Sequence, residues 1–392
     1  MNSPETLRRP SCIAQAFERV LRQRRRPPRR WLFIAEAFGY GPPAKLLALL
    51  PHLARDSSTT WTFLGEGCAL ELCRSGPFEE WVECPAGNAA DPRLGAAIEA
   101  HDALVTAMEF TPIDRAAAGG KLVVVFDSLF WMWPELPFSL SRVDLCLCQN
   151  YPGVVERRAS LSADEASRIV VVPPLAISRP GGWTPGETVV LNLGGMDNPF
   201  ADRDALAAYA TGLTRLVVDV CARAACPLEV YGRSWVMAHL RHTFPGVRAT
   251  FGTLPPGDFV QRLASARCLI TAPGLEVVYE AFTTGTPVFL LPPQNNSQFH
   301  QSQLLLRDVP GLAGRRWQEL VDIDVGRCAS PVPSEAIGEL LRGPPRLLAS
   351  ATAQRSLREA LEDFVGRRPA EFAVQCAAQT HFLDTLRSGA DH

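Results

Sequence analysis

Four short stretches in the second half of the chain join glycines, carboxylates and side-chain amides at spacings that suit a ligand carrying both phosphates and hydroxyls. The first is Asn192-Leu-Gly-Gly-Met-Asp-Asn-Pro199. Gly194 and Gly195 let the backbone come close to a ligand, and the helix that follows offers its N-terminus to an anion such as a diphosphate. The second is Phe251-Gly-Thr-Leu-Pro-Pro256, a strand exit ahead of another helix. The third begins at Gly274, a strand-to-helix turn of the same anion-ready kind. Glu276 and Glu280 then fall on one face of its helix. A carboxylate there can accept two hydrogen bonds from a ribose, and Glu280 is the better candidate, because an acidic residue in a first turn, like Glu276, is ordinary. The fourth, Gln294-Asn-Asn-Ser-Gln-Phe-His-Gln301, is dense in the neutral hydrogen-bonding groups that sugar hydroxyls require.

These stretches need elements to hold them, and the hydrophobic pattern supplies a set. In the first half, strands are expected at Trp31–Ala35, Trp61–Leu64, Asp102–Ala107, Leu122–Phe126, Val143–Cys148 and Ile169–Val172, with helices between them and a helix from Ala44 to Arg55. A break rich in proline and glycine follows, at Pro173, Pro174 and Arg179–Gly186. The second half repeats the pattern, with strands at Val189–Leu193, Leu228–Tyr231, Val247–Phe251, Cys268–Thr271 and Pro287–Leu291. Helices are expected at Asp202–Ala222, 256–266, 276–284 and 298–307, and the segment 350–387 is strongly helical. Alternating strands and helices imply parallel sheets wound on both faces. The fold class expected is therefore α/β, with two Rossmann-like doubly wound domains, a linker and a C-terminal helix packing back. The expected divisions are a basic extension over 1–30, a first domain over 31–178, a second over 186–349 and a helical segment over 350–392.

Composition narrows the function classes. The 392 residues exceed one ordinary core, and a net charge of -2 gives no global attraction to nucleic acid. The run Arg22, Arg24, Arg25, Arg26, Arg29 and Arg30 reads as a solvated basic linker, with a weak anionic or membrane contact as its functional alternative. Eleven cysteines lie scattered without zinc-ligand spacing, so reduced, buried thiols are expected. No signal core is visible and no apolar run approaches the length of a membrane span, which points to a cytoplasmic protein with no integral membrane segment. A monomer or homodimer is expected.

The run Ala272-Pro-Gly274…Glu280-Ala-Phe-Thr-Thr-Gly-Thr-Pro287, followed by Gln294, Gln298 and Gln301, resembles the donor-binding half of the GT-B glycosyltransferases. The likeness is strongest to the peptidoglycan N-acetylglucosaminyltransferase and related UDP-sugar enzymes. It covers about 186–310 well and the first half loosely. The resemblance implies that Gly274 and Leu275 give backbone amides to the diphosphate beside Gly194 and Gly195. It implies that Glu280 holds the ribose, that the backbone of Leu254 meets a uracil edge, and that Gln298, His300 and Gln301 contact the transferred sugar or distal phosphate. Arg233 could add positive charge. It further implies metal-independent, inverting transfer with no cofactor, the departing diphosphate being stabilised by helix N-termini and amides.

The first half departs from that family. Relatives carry a Gly-His loop where this chain reads Phe38-Gly-Tyr-Gly-Pro-Pro-Ala-Lys-Leu-Leu-Ala-Leu49, so Pro42 replaces the histidine while Gly39 and Gly41 keep the loop. Another group near the strand ends must then take the acceptor's proton. Asp127 is the first candidate, with Glu36 and Glu109 as rivals, whereas His101 precedes a strand. Trp81, Trp131 and Trp133 are aromatic candidates for an acceptor pocket. The leading expectation is transfer from a UDP-sugar to a small acceptor in bacterial specialised metabolism of antibiotic type, with nucleoside and amino-sugar acceptors open. A UDP-sugar 2-epimerase and an inactive auxiliary protein of the same fold are the alternatives.

Overall fold

The structure is a computed structural model and describes residues 11–53, 57–175, 182–194 and 196–390. Two parallel sheets form its frame. The first contains β1 (Arg30–Ala35), β2 (Thr60–Gly65), β3 (Glu80–Glu83), β4 (Ala103–Ala107), β5 (Leu122–Asp127), β6 (Leu145–Gln149) and β7 (Ile169–Val172). Its order is β3-β2-β1-β4-β5-β6-β7. The second contains β8 (Val189–Asn192), β9 (Leu228–Tyr231), β10 (Ala249–Gly252), β11 (Cys268–Thr271), β12 (Val288–Leu290) and β13 (Ala313–Gly314), in the order β10-β9-β8-β11-β12-β13. Both are Rossmann-like, and in both the order reverses beside the first strand, between β1 and β4 and between β8 and β11. Such a reversal opens a crevice beyond the carboxyl ends of the strands.

The strands are continuous apolar runs because helices cover both faces. Every residue of β5, for instance, is buried. β3 and β13 were not anticipated. The first is an exposed edge strand reading Glu-Trp-Val-Glu, and the second is two residues long. The helix Cys12–Arg22, expected within a basic extension, turns Ile13, Ala16, Phe17 and Val20 into the core against β6 and β7. The helix expected from Ala44 begins instead at Gly41 and ends at Leu49. Pro42 and Pro43 fit its first turn, where a missing amide hydrogen costs nothing.

The helix Arg203–Arg223 is long and apolar enough to cross a bilayer, contrary to the sequence reading. Here its Leu206, Leu213, Leu216, Val217 and Val220 are spent on the second core. The helical C-terminal segment is broken by Pro369 into Ala351–Gly366 and Ala373–Ser388. The last of these lies on the helix Leu275–Thr284. Gln375 donates to Val288 O at 2.6 Å and Gln379 to Thr286 O at 2.9 Å. Its far end reaches the first half, where Asn150 Nδ2 donates to Leu386 O at 2.6 Å.

Candidate active site

The carboxyl ends of the two sheets open onto one cleft of about 420 Å³. From the first sheet come Glu36 after β1, Met108 after β4 and Ser128 after β5. From the second come Gly194 after β8, Gly232 after β9, Thr253 and Leu254 after β10, Gly274 after β11, and Gln294 beyond β12.

The second-half wall is built for an anion and hydroxyls. Gly194 adopts φ 73°, a left-handed turn that side-chain-bearing residues rarely take, and its amide leans on Asn192 Oδ1 at 3.4 Å. Gly195 lies outside the described residues, as do 176–181 of the expected linker. The helix Leu275–Thr284 starts at Gly274 with no side chain capping it, so its first amides are open to a ligand in the cleft. Glu280 lies one turn deeper and only 4% exposed, and burial together with Glu276 raises its carboxyl well above the ordinary range, against a lowering by Lys45.

The amide-rich loop is held from behind. Tyr209 Oη donates to Pro292 O at 2.6 Å and Trp317 Nε1 to Pro293 O at 2.7 Å. Asn295 caps the helix Asn296–Asp308, and Gln298 Oε1 accepts from Gln294 N at 3.1 Å. Gln301 is 2% exposed, lines the cleft and leaves its Oε1 without a hydrogen bond. His300 is on the same helix but not on the cleft wall. It meets Trp131 edge-on at 6.5 Å, and burial lowers its pKa.

Of the three carboxylates expected to act as base, only Glu36 lines the cleft. Burial pushes it up to about 8, helped by the charges of Glu109 and Asp127. Asp127 is fully buried behind the wall, where it accepts from Leu129 N at 2.7 Å and from Trp133 Nε1 at 3.1 Å. Burial raises it to about 7, and those hydrogen bonds oppose the rise. Glu109 accepts from Thr111 N at 2.9 Å and does not reach the cleft wall. Gly39 and Gly41 are on the wall, as are Phe38, Tyr40, Leu72 and Leu129. Trp81, Trp131 and Trp133 are not part of it: Trp131 packs against Tyr151 with the rings tilted and their centres 4.6 Å apart, and Trp81 donates to Cys73 O at 3.2 Å.

Two groups of charges that the sequence reading missed join the halves. Asp197 Oδ2 accepts from Cys68 N at 3.0 Å and pairs with Arg233, which also meets Glu71 at 3.4 Å. Arg233 is thereby spent on the clamp. The second group centres on Lys45, 1% exposed, which pairs with Glu276 and donates to Leu175 O. Its signal in the sequence is chemical: one of two lysines in an arginine-rich chain, set in an otherwise apolar helix. Among the described residues, no group of three His, Cys, Asp or Glu side chains is placed to hold a metal ion.

No family model matches the sequence and no curated protein does. Among solved structures, the chain is similar to Arabidopsis thaliana UGT89C1 complexed with quercetin, at 14% identity and a TM-score of 0.48, over 92% of this chain and 98% of that one. It is similar to UDP-glucose: anthocyanidin 3-O-glucosyltransferase in complex with UDP at 12% identity and 0.45, over 92% and 99%. It is also similar to Acinetobacter baumannii MurG, at 14% identity and 0.40, over 92% and 100%. At such identities no residue role passes from those proteins to this chain.

Proposed function

We propose that this protein is a glycosyltransferase that moves a sugar from a UDP-sugar to a small acceptor, with inversion and without a metal. One observation carries the reading: an uncapped helix start and Glu280 face Glu36 across a single cleft at the switch points of both sheets. The second half would hold the nucleotide, with Glu280 on the ribose and the amides at Gly194, Gly274 and Leu275 on the diphosphate. Gln298 and Gln301 would hold the sugar. On the first half, Glu36 would take the proton of the acceptor. The acceptor atom then bonds to the anomeric carbon as the bond from that carbon to the diphosphate oxygen breaks. The leaving electron pair stays on the diphosphate, where helix dipoles and amides stabilise it. Among the described residues no histidine is on the cleft wall, which counts against a 2-epimerase using paired carboxylates and histidines.

Calorimetry with UDP tests this directly. Glu280→Ala removes a buried hydrogen-bonding partner and should cost roughly 1–3 kcal/mol of UDP affinity. Failure of the wild-type protein to bind UDP, thymidine diphosphate or guanosine diphosphate would remove the glycosyltransferase reading.

A further inference from the structure

The first-half wall of the cleft leaves few polar side chains open. Tyr40 Oη donates to Glu71 at 3.2 Å, Ser75 Oγ to Leu72 O at 2.8 Å, and Ser128 Oγ to the sulfur of Met108 at 3.4 Å. Glu71 also meets Arg233, and Lys45 is paired with Glu276. Among the described residues, Glu36 is then the one polar side chain of that wall with no hydrogen bond or ion pair inside the protein. Between these groups the wall is carbon and sulfur, from Phe38, Leu72, Met108 and Leu129.

Met108 has the least ordinary backbone of these. Its φ is 63°, a left-handed value that only Met196 and Ala225 share among the described non-glycine residues. Glycine takes that conformation freely, whereas a side chain there crowds its own backbone. Three hydrogen bonds hold it. Met108 N donates to Phe126 O at 3.1 Å, Thr106 Oγ1 reaches past it to Glu109 O at 2.5 Å, and Ser128 N donates to its sulfur at 3.2 Å. Glu36 N donates to Ala107 O at 3.0 Å, so the methionine stands beside the Glu36 backbone where β1, β4 and β5 end together. A strained residue held by its surroundings on the wall of a cleft points to a use for its side chain.

Resting on the glycosyltransferase reading above, we propose that the acceptor is an apolar molecule with one polar group, the group that receives the sugar, and that Met108 sets this specificity by seating the acceptor's carbon frame beside Glu36. A polyhydroxylated acceptor would bury its hydroxyls against side chains whose hydrogen bonds are already made, and a buried hydroxyl without a partner is costly. An anionic acceptor would find Lys45 already paired. A thioether packs well against aliphatic and aromatic carbon. The one open carboxyl meets the one polar group, and this match selects the atom presented to the anomeric carbon.

The test measures binding of 2-naphthol and of methyl β-glucopyranoside by calorimetry on protein saturated with UDP, in wild type, Met108→Leu, Met108→Gln and Leu72→Gln, with thermal melts reporting folding. Wild type should bind 2-naphthol more tightly than the glucoside by about tenfold or more. Met108→Leu keeps an apolar side chain of similar volume and should stay within about threefold of wild type for 2-naphthol. Met108→Gln keeps the length but sets an amide on the same backbone, and should lose about tenfold for 2-naphthol while UDP affinity holds within about twofold. A merely structural methionine would lower the melting temperature in both variants without separating their 2-naphthol affinities. Equal binding of the two probes by wild type, or equal 2-naphthol affinity in the two Met108 variants, overturns the proposal and leaves the glycosyltransferase reading intact. Absence of UDP binding in wild type overturns that reading itself. If Met108→Gln does not fold, Leu72→Gln decides: a 2-naphthol affinity lower by about fivefold supports the proposal, and an unchanged one overturns it.

Discussion

Glu36 carries opposite consequences for stability and for rate. Its carboxyl holds a proton up to about pH 8 in the folded protein, against an ordinary 4.5. The native state therefore binds a proton that the unfolded chain sheds, and this stabilising share is complete below about pH 4.5 and lost as pH rises through about 8. The base form grows over that same interval, so turnover should climb toward pH 8. In Glu36→Gln, the rise of kcat with pH should disappear and kcat should fall by roughly 10²–10⁴-fold. Urea melts of the variant should show a flatter dependence of stability on pH through that range. A variant with the wild-type pH–rate profile would place the proton transfer at another group. The sequence placed Glu36 at a strand end but ranked Asp127 above it. Ranking needed the packing of Trp133 and Leu129 around Asp127, and contacts between residues that a loop folds back together have no periodic trace in a chain.

The elements themselves were largely legible where apolar runs are long. β5 and β11 stand out as buried runs, and the turn at Gly274 follows from its place between β11 and a helix. The edge strand β3 was hidden because half of its residues are glutamates, and the two-residue β13 is too short to have a period. The amide-rich loop was visible as composition, but its support was not, since Trp317 and Tyr209 come from distant parts of the chain. That support is tightly packed. A Cβ on Gly343 would stand 2.5 Å from the Trp317 ring. Gly343→Ala should accordingly cost about 1–3 kcal/mol by overpacking. The strain would be passed through Pro293 to the loop that carries Gln298 and Gln301. Chemical denaturation measures the first effect, and a raised KM for the sugar donor the second. An alanine variant of wild-type stability would mean that Trp317 has room to shift.

At the scale of the molecule, the sequence showed two similar α/β halves and a helical end that packs back, because the same alternation recurs on either side of a proline-rich break. It did not show how they are joined across the cleft, since ion pairs between halves depend on a closed arrangement that no local pattern encodes. Asp197 is the centre of one such join. Asp197→Ala leaves the Cys68 amide and Arg233 without their shared acceptor. Small-angle scattering should then record a larger radius of gyration, and donor KM should rise by about tenfold or less, as for a partly exposed ion pair. A scattering curve identical to wild type would show that the remaining contacts hold the cleft shut unaided. Removing the chain after Phe372 should act more severely, because it uncovers the outer face of the helix Leu275–Thr284 and strips Val288 O and Thr286 O of their donors. A thermal melt should find a lower Tm, or a separate early transition for the second half. The helix Ala373–Ser388 has one more effect, through its tip on Asn150. A body fastened to another at a single joint can twist, tilt and swing, but one fastened at two separated joints keeps only the swing about the line between them. The chain crossing near Leu175 is one joint and the contact of Leu386 with Asn150 is the other. Two such joints leave a swing about the line between them as the freest relative motion of the two halves.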